Sequence, residues 1–529
     1  MNKLLFIVPP TLHMGERATK LRNQEATIPY GVLSMMTYMA AELKDVEYTA
    51  DVIDLNVAPY SALHDADLYA RLKKAAVGFG ANIIGISAPY NHVYPYVEAI
   101  ARELKSVLPE STLIVGGPCA MAYYAEMVTE IEAVDAVCFA EGEIPIVDLL
   151  RSQNIQKTLV DNPAFITQQS LLSGKKPKAC FVDNLDDIPP VNFDFVDITK
   201  YGSHRESFRP GRSKSDIILP ISTTRGCPYD CVFCVAKSLH GRKVRKMSPL
   251  RVAKDAKQLV DKYKINVLSI EDDQFLLDKK RAKEMLRELA KLQLVLLADS
   301  GFTVSLLDDE VARLLKEAGL VTATLAIESG SEYVLKEIIN KPLNLHDVGK
   351  AVASLRKHGL FVHAFLVIGF PGEREKDRQA TRDFIKKTGI DWCYITCATP
   401  IKGSRLYDIC REKNYLNASY KGADAFYASS ITTPDFTSEY MTREAYLMNL
   451  ELNFVHNYRR KTGDIPVFTL YMEHVAGKYP SHAFAHYFLA ECHQIMGNKA
   501  KYEEHYRLFT KITDEDPEWA EYARYFALA

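Results

Sequence analysis

Thr223-Thr224-Arg225-Gly226-Cys227-Pro228-Tyr229-Asp230-Cys231-Val232-Phe233-Cys234 decides how this chain is read. It leaves the apolar, β-branched run Ile217–Thr223, which the sequence predicts as a strand. Three cysteines at spacing C-x-x-x-C-x-x-C put three thiolates on one compact loop. That suits three corners of a cubane iron–sulfur cluster. The fourth iron then has no protein ligand, and an open metal position is what a catalytic centre needs. Two other readings stand beside this one: cysteines close together by chance, and a zinc site lacking its fourth ligand. Zinc motifs, however, usually come as paired C-x-x-C units.

Outward from this loop, strands and helices alternate. Predicted strands at Ile217–Thr223, Val267–Ile270, Val295–Ala298, Thr322–Ile327, Phe361–Ile368 and Trp392–Ala398 are separated by helical patterns such as Ala282–Leu292 and Asp347–His358. Six βα units over residues 216–413 predict a partial parallel (βα)6 barrel with its working face at the C-terminal strand ends. Residues 1–150 alternate in the same way, with predicted strands at Leu4–Val8, Tyr48–Leu55, Ile83–Ala88, Leu113–Val115 and Val134–Phe139. They predict a doubly wound, Rossmann-like α/β sheet whose ligands sit at the Gly- and Pro-rich strand ends. Residues 151–215, with the acidic turn-rich stretch Asp183–Pro190, are expected to be a surface linker. Residues 414–529 are helical. Their hairpin at 481–513 has tetratricopeptide-like spacing, but about three repeats are needed for stability, so a helical cap on the barrel is the simpler reading.

Composition narrows the function. The chain has 529 residues, 47% hydrophobic and 25% charged, which is ordinary for globular domains and leaves room for several of them. Lys plus Arg number 65 and Asp plus Glu 67, so no global field draws in nucleic acid or an anionic membrane. No apolar run is long enough for a membrane span. The N-terminal apolar stretch reads as a strand rather than a signal peptide, so a cytoplasmic location is expected. Ten cysteines in a chain this long are not a disulfide framework.

The cysteine loop, with Phe233 before its last cysteine, resembles the radical S-adenosylmethionine superfamily. Later segments fit in order: Glu271-Asp272-Asp273-Gln274-Phe275, Ala318-Gly319-Leu320, Ala326-Ile327-Glu328-Ser329-Gly330-Ser331, Val367-Ile368-Gly369-Phe370-Pro371-Gly372-Glu373 and Thr399-Pro400-Ile401-Lys402-Gly403-Ser404. Upstream, Pro9-Pro10, Pro29-Tyr30-Gly31, Ser87-Ala88-Pro89, Gly116-Gly117-Pro118 and Glu141-Gly142-Glu143 match the branch that carries a cobalamin-binding domain. The resemblance covers about residues 1–410. It implies a 4Fe-4S cluster on Cys227, Cys231 and Cys234, which are also the catalytic residues. It implies S-adenosylmethionine at Phe233, Glu328, Ser329, Gly369, Pro371 and Gly372, and cobalamin at Ser87, Gly116, Gly117, Glu141 and Gly142.

The activity implied is transfer of a methyl group from methylcobalamin to an unactivated carbon or phosphorus centre of a small-molecule substrate. The alternative keeps both cofactors and performs a cyclisation or ring rearrangement without methyl transfer. A flavodoxin- or ferredoxin-type electron donor is implied as partner, and nucleic acid is not. An RNA methylthiotransferase is disfavoured because the N-terminal domain holds only Cys119 and Cys138. Several residues keep two readings. Glu328 either binds S-adenosylmethionine or sits as a charge at a helix N-terminus. Asp272 and Asp273 either hold substrate or cobalamin groups or are solvated turn residues. The basic run Lys237, His240, Arg242, Lys243, Arg245 and Lys246 is either a solvated face or neutralises an anionic cluster and a carboxylate, with Arg245 the foremost candidate. No Asp-x-His-x-x-Gly loop is present, and His92 is either a lower cobalt ligand or a surface histidine. Residues 1–150 are either the cobalamin domain or a degenerate Rossmann-like domain without cofactor.

Overall fold

Alternate residues of strand β1 (Asn2–Val8) point to opposite faces, and that alternation builds the first sheet. The computed structural model describes residues 1–11, 26–62, 65–202, 215–417, 420 and 428–528. With β2 (Tyr48–Asp54), β3 (Ile83–Ser87), β4 (Thr112–Gly116), β5 (Ala136–Cys138) and β6 (Phe165–Ile166), β1 forms a sheet of order β2-β1-β3-β4-β5-β6. All its pairings are parallel except that of β6. Leu5, Ile7, Ile84, Ile86, Leu113 and Val115 pack on one face against Leu72, Val97 and Ile100. Leu4, Phe6, Ile83 and Ile114 pack on the other against Val32, Met36 and Leu149. Each such buried side chain contributes about 1.5–3 kcal/mol of hydrophobic stabilisation.

The expected linker at 151–215 does more than cross the surface. β6 lies within it and completes the sheet past residue 150. Val182, Leu185, Ile188 and Phe193 are buried in the core of the second domain. These apolar pieces are too short to show a period, so the surrounding turns dominate the pattern. Residues 203–214 of this stretch lie outside the described residues.

The second domain is the partial barrel. β7 (Ile218–Ile221) precedes a small antiparallel ladder of β8 (Thr224–Arg225) and β9 (Arg245–Lys246). β10 (Val267–Ile270), β11 (Val295–Leu297), β12 (Thr322–Glu328), β13 (Phe361–Ile368) and β14 (Trp392–Cys397) follow. The sheets β11-β10-β7 and β12-β13-β14 are joined by parallel bridges Leu296–Leu320 and Phe302–Leu325 into one arc.

β14 is the end of that arc, and its edge is covered by a side chain. Asn453, on the turn Glu451–Val455, accepts from the Cys393 amide at 2.7 Å and donates to the Cys393 carbonyl at 2.8 Å. Asn457 likewise donates to the Asp391 carbonyl at 2.8 Å. A carboxamide thus copies the hydrogen bonds of a missing strand. Trp392 stacks on Tyr471 with ring centroids 5.5 Å apart. The C-terminal helices pack around Phe468, Phe484 and Phe488, so the helical region caps the barrel edge. Among the described residues no helix is long and apolar enough to cross a membrane.

Candidate active site

Gly226 introduces the cysteine loop at φ +102°, and an added Cβ would lie 2.5 Å from the Lys243 carbonyl oxygen. Only glycine fits there. Its amide donates to Asp273 Oδ2 at 2.8 Å. Asp272, fully buried, accepts from the Thr223 amide and hydroxyl and from the Thr224 amide. Burial pushes its carboxyl up to about 6 against those donors. The two aspartates therefore shape the strand end that carries the loop, and neither is a solvated turn residue. The far side of the loop is pinned by the Val232 amide on the Ile339 carbonyl and the Leu406 amide on the Val232 carbonyl, both at 2.8 Å.

Burial pushes the three thiols up, Cys231 to about 11, while Lys341 pulls each of them down. Thiols in such a place lose their protons to a metal rather than to water. Among the described residues no trio of His, Cys, Asp or Glu closes around a single ion, as a mononuclear zinc site requires. A cubane takes each thiolate on a different iron, so its ligands stand apart. The loop fits the cluster.

Glu328 ends β12 at φ +67°, where the pairing with β13 slips. Its carboxylate, 9% exposed, meets Lys341 Nζ at 3.0 Å. Burial works against that ammonium, yet Glu328 and Cys231 hold its pKa above the lysine value. Lys341 was not legible in the sequence. It follows Asn340, whose left-handed backbone closes an irregular helical turn that has no motif signature. Phe233 reaches Phe370 with ring centroids 6.0 Å apart, bringing the cysteine loop to the Gly369–Gly372 turn. Gly369 and Gly372 have φ of +87° and +89°, and the Gly369 amide donates to buried Glu373 at 2.5 Å. Ser329 lies apart from this group. Its buried hydroxyl is taken by Thr381 and the Ser331 amide, a local structural role.

At the edge of the first sheet a cavity of about 530 Å³ opens between the two domains. Ser87, Gly116, Gly117, Glu141 and Gly142 line it, as do Ser222, Arg225, His240 and Glu271 from the barrel. It continues as an apolar slot between Leu4, Phe6, Ile83 and Ile114 of the sheet and Val32, Met35 and Ile146 of the helices. Gly117 sits at φ +101°, and a Cβ there would lie 2.7 Å from the Ala88 carbonyl oxygen. A rim of glycines and hydroxyls over an apolar slot fits an amide-fringed macrocycle with a flat aromatic tail, as cobalamin has. His92 is not among the lining residues. Its Nε2 is 2.8 Å from the Thr11 carbonyl oxygen and its ring stacks on Tyr90.

Glu141 lines the cavity and also anchors an ion-pair network. Arg225 bridges Glu141 and Glu143 at 3.0 and 2.9 Å. Arg245 grips Glu141 through two nitrogens at 2.9 and 2.5 Å, and His240 Nδ1 lies at 2.8 Å. Burial alone would raise this carboxyl, but Arg245, His240 and Arg225 hold it at about 2. Arg245 therefore serves Glu141, not the cluster. Lys237 and Arg242 pair with Asp230, Lys243 with Asp183 and Lys246 with Asp278. Tyr30 adds a further link between the domains, accepting from the Ser222 amide at 3.1 Å.

Residues 31–150 match the B12 binding domain family, and residues 221–385 match the radical SAM superfamily, together more than half of the chain. This chain belongs to the cobalamin-dependent radical S-adenosylmethionine family. The cofactors of the family are a 4Fe-4S cluster, S-adenosylmethionine and cobalamin. Among similar proteins, an uncharacterized methyltransferase of Pyrococcus horikoshii is 27% identical over 78% of this chain and 84% of its own length. The cytidylyl-2-hydroxyethylphosphonate methyltransferase of Streptomyces wedmorensis is 26% identical over 77% of this chain and 82% of its own. The radical enzyme OxsB, solved with aqua-cobalamin and S-adenosylmethionine, shares the fold with a TM-score of 0.68 at 13% identity, covering 98% of this chain and 80% of that one.

Proposed function

We propose that this family member is a methyltransferase that delivers a methyl group, by way of cobalamin, to an unactivated carbon or phosphorus centre of a small molecule. One observation carries the reading: the cavity at the first sheet's edge reaches Arg225, two residues before Cys227, so the cobalamin-type site and the cluster loop share one segment. When bound, the cluster supplies the electron that splits S-adenosylmethionine, and cobalamin supplies the methyl carrier. The chain's own work is binding, orientation and exclusion of water.

In this reading Cys227, Cys231 and Cys234 hold the cluster as thiolates. Glu328 and Lys341 form a buried pair of opposite charges that complements the ammonium and carboxylate of an amino acid. Exchanging their mutual ion pair for two such pairs leaves no charge uncompensated. Phe233, Phe370 and the Gly369-Phe370-Pro371-Gly372 turn offer an apolar, close-approach seat for adenine. Ser87, Gly116, Gly117 and Gly142 receive the corrin edge, while Glu141 fixes the barrel against it. The electron comes from a donor of the flavodoxin or ferredoxin class, and the enzyme works in the cytoplasm.

The test is anaerobic. Protein reconstituted with cluster and cobalamin is given S-adenosylmethionine and a low-potential reductant. It is expected to form S-adenosylhomocysteine in proportion to bound cobalamin, and a product one methylene heavier once its substrate is supplied. If only 5′-deoxyadenosine and a product of unchanged carbon count appear, the proposal fails and a cyclisation or rearrangement replaces it.

A further inference from the structure

We infer that Gln274 sets the reduction potential of the cluster: its side-chain amide donates a hydrogen bond to the Cys227 sulfur and stabilises the reduced state. The inference rests on the cluster assignment above. Gln274 Nε2 lies 3.4 Å from Cys227 Sγ, within reach for a sulfur acceptor. The carboxamide is held from its other end, where Oε1 accepts from the Thr303 hydroxyl at 3.2 Å, and the sulfur decides which end faces it. The reversed amide would turn its oxygen toward a thiolate, which only accepts. The Gln274 backbone is itself tied to the strand end before the loop, its amide donating to Thr224 Oγ1 at 3.4 Å. Thr303 is thus the positioning residue and Gln274 the group that touches the cofactor's ligand.

The electrostatics give the sign. Reduction takes the cluster from [4Fe-4S]2+ to [4Fe-4S]+ by one electron from a low-potential donor, and no proton moves. Negative charge grows on the iron-bound sulfurs. An N–H dipole aimed at one of them favours the more negative state, so it makes reduction easier; hydrogen bonds to sulfur are a recognised lever on such potentials. Cys234 also accepts a donor, the Ala236 amide at 3.5 Å, but that one belongs to the backbone. Gln274 is a side-chain donor, so substitution can remove it while the loop is kept. It sits in the Glu271–Phe275 segment after β10, where Asp272 and Asp273 shape the backbone and leave the fourth residue to act on the sulfur.

The test compares wild-type protein, Gln274→Leu and Thr303→Val, each reconstituted anaerobically. Iron and sulfide content report whether the cluster is present, and a potentiometric titration followed by electron paramagnetic resonance reports its potential. Gln274→Leu is expected to keep its iron and to lower the reduced-to-oxidised ratio at fixed potential about tenfold, a negative shift of about 59 mV for one electron. Thr303→Val, which frees the amide to turn over, is expected to shift the same way by less. A cluster-replete Gln274→Leu variant at the wild-type potential overturns the inference. If Gln274→Leu fails to hold a cluster, an unshifted potential in Thr303→Val overturns it instead. Absence of a cluster from the wild-type chain refutes the cluster assignment itself, and this inference with it.

Discussion

Glu141→Gln keeps the shape of the side chain and removes its charge, leaving Arg245 and part of Arg225 buried without their carboxylate. Two routes give the cost. Removing one partner of a buried ion pair typically costs about 3–5 kcal/mol. Independently, the carboxyl is held at about 2 rather than 4.5, and at 1.36 kcal/mol per unit that gap corresponds to about 3 kcal/mol. Because the folded pKa is depressed, this contribution is present above pH 4.5 and is lost as pH falls through about 2. The assay is denaturant unfolding at neutral pH, paired with titration of cobalamin into the cavity that Glu141 lines. Glu141→Gln is expected to lose about 3 kcal/mol and to bind cobalamin more weakly. Asp261→Asn, which breaks the exposed pair with Lys257, should change stability by less than about 1 kcal/mol. Adding Arg245→Met to Glu141→Gln should recover part of the loss, since an apolar replacement leaves no unpaired buried charge. A Glu141→Gln protein within about 1 kcal/mol of wild type, with unchanged cobalamin affinity, would refute the argument.

Single substitutions of Cys227, Cys231 or Cys234 by Ala should abolish the 4Fe-4S cluster, read as iron content and visible absorbance, whereas Cys393, Cys397 and Cys410 should be dispensable for it because they lie in β14 and the helix Arg405–Glu412. Asn453→Ala strips both hydrogen bonds from Cys393 and should cost about 2–4 kcal/mol, with faster amide exchange at Cys393 as the local readout. His363 is fully buried between the Tyr394 and Tyr471 hydroxyls, and burial holds its pKa down at about 3. The unfolded chain therefore takes up a proton there first, so stability should fall by about 2 kcal/mol between neutral pH and pH 5, and a His363→Gln variant should lose that pH dependence.

The strands were legible because apolar residues alternate or run unbroken: Val267–Ile270 and Phe361–Ile368 begin and end where the pattern places them. The cysteines were legible because their chemistry depends on local spacing. What was not legible depends on long closures. Glu141 was legible as a cavity residue because it begins the Glu141-Gly142-Glu143 turn at a strand end, but its ion-pair partners Arg225 and Arg245 lie 84 and 104 residues away. Lys341 reaches the thiols only because of an irregular turn. Ser329 shares a motif with Glu328, but it follows the strand end, where Glu328 takes a left-handed φ of +67°, and its hydroxyl meets Thr381 in the interior. β6 is two residues long, too short for any periodicity.

The cavity wall is shared, with Ser87 and Gly116 on one domain and Ser222 and Glu271 on the other. Whatever fills it is therefore recognised in full only by a chain whose two domains are closed on each other. By mass action the ligand holds them closed, adding about 1.4 kcal/mol for every tenfold excess of free ligand over its dissociation constant. In the proposed reading, cobalamin in this cavity holds the two domains together as well as serving as a reagent. Enzyme produced in cells short of the vitamin is then expected to open more often along this seam and to be cut faster there in limited proteolysis than enzyme produced with it.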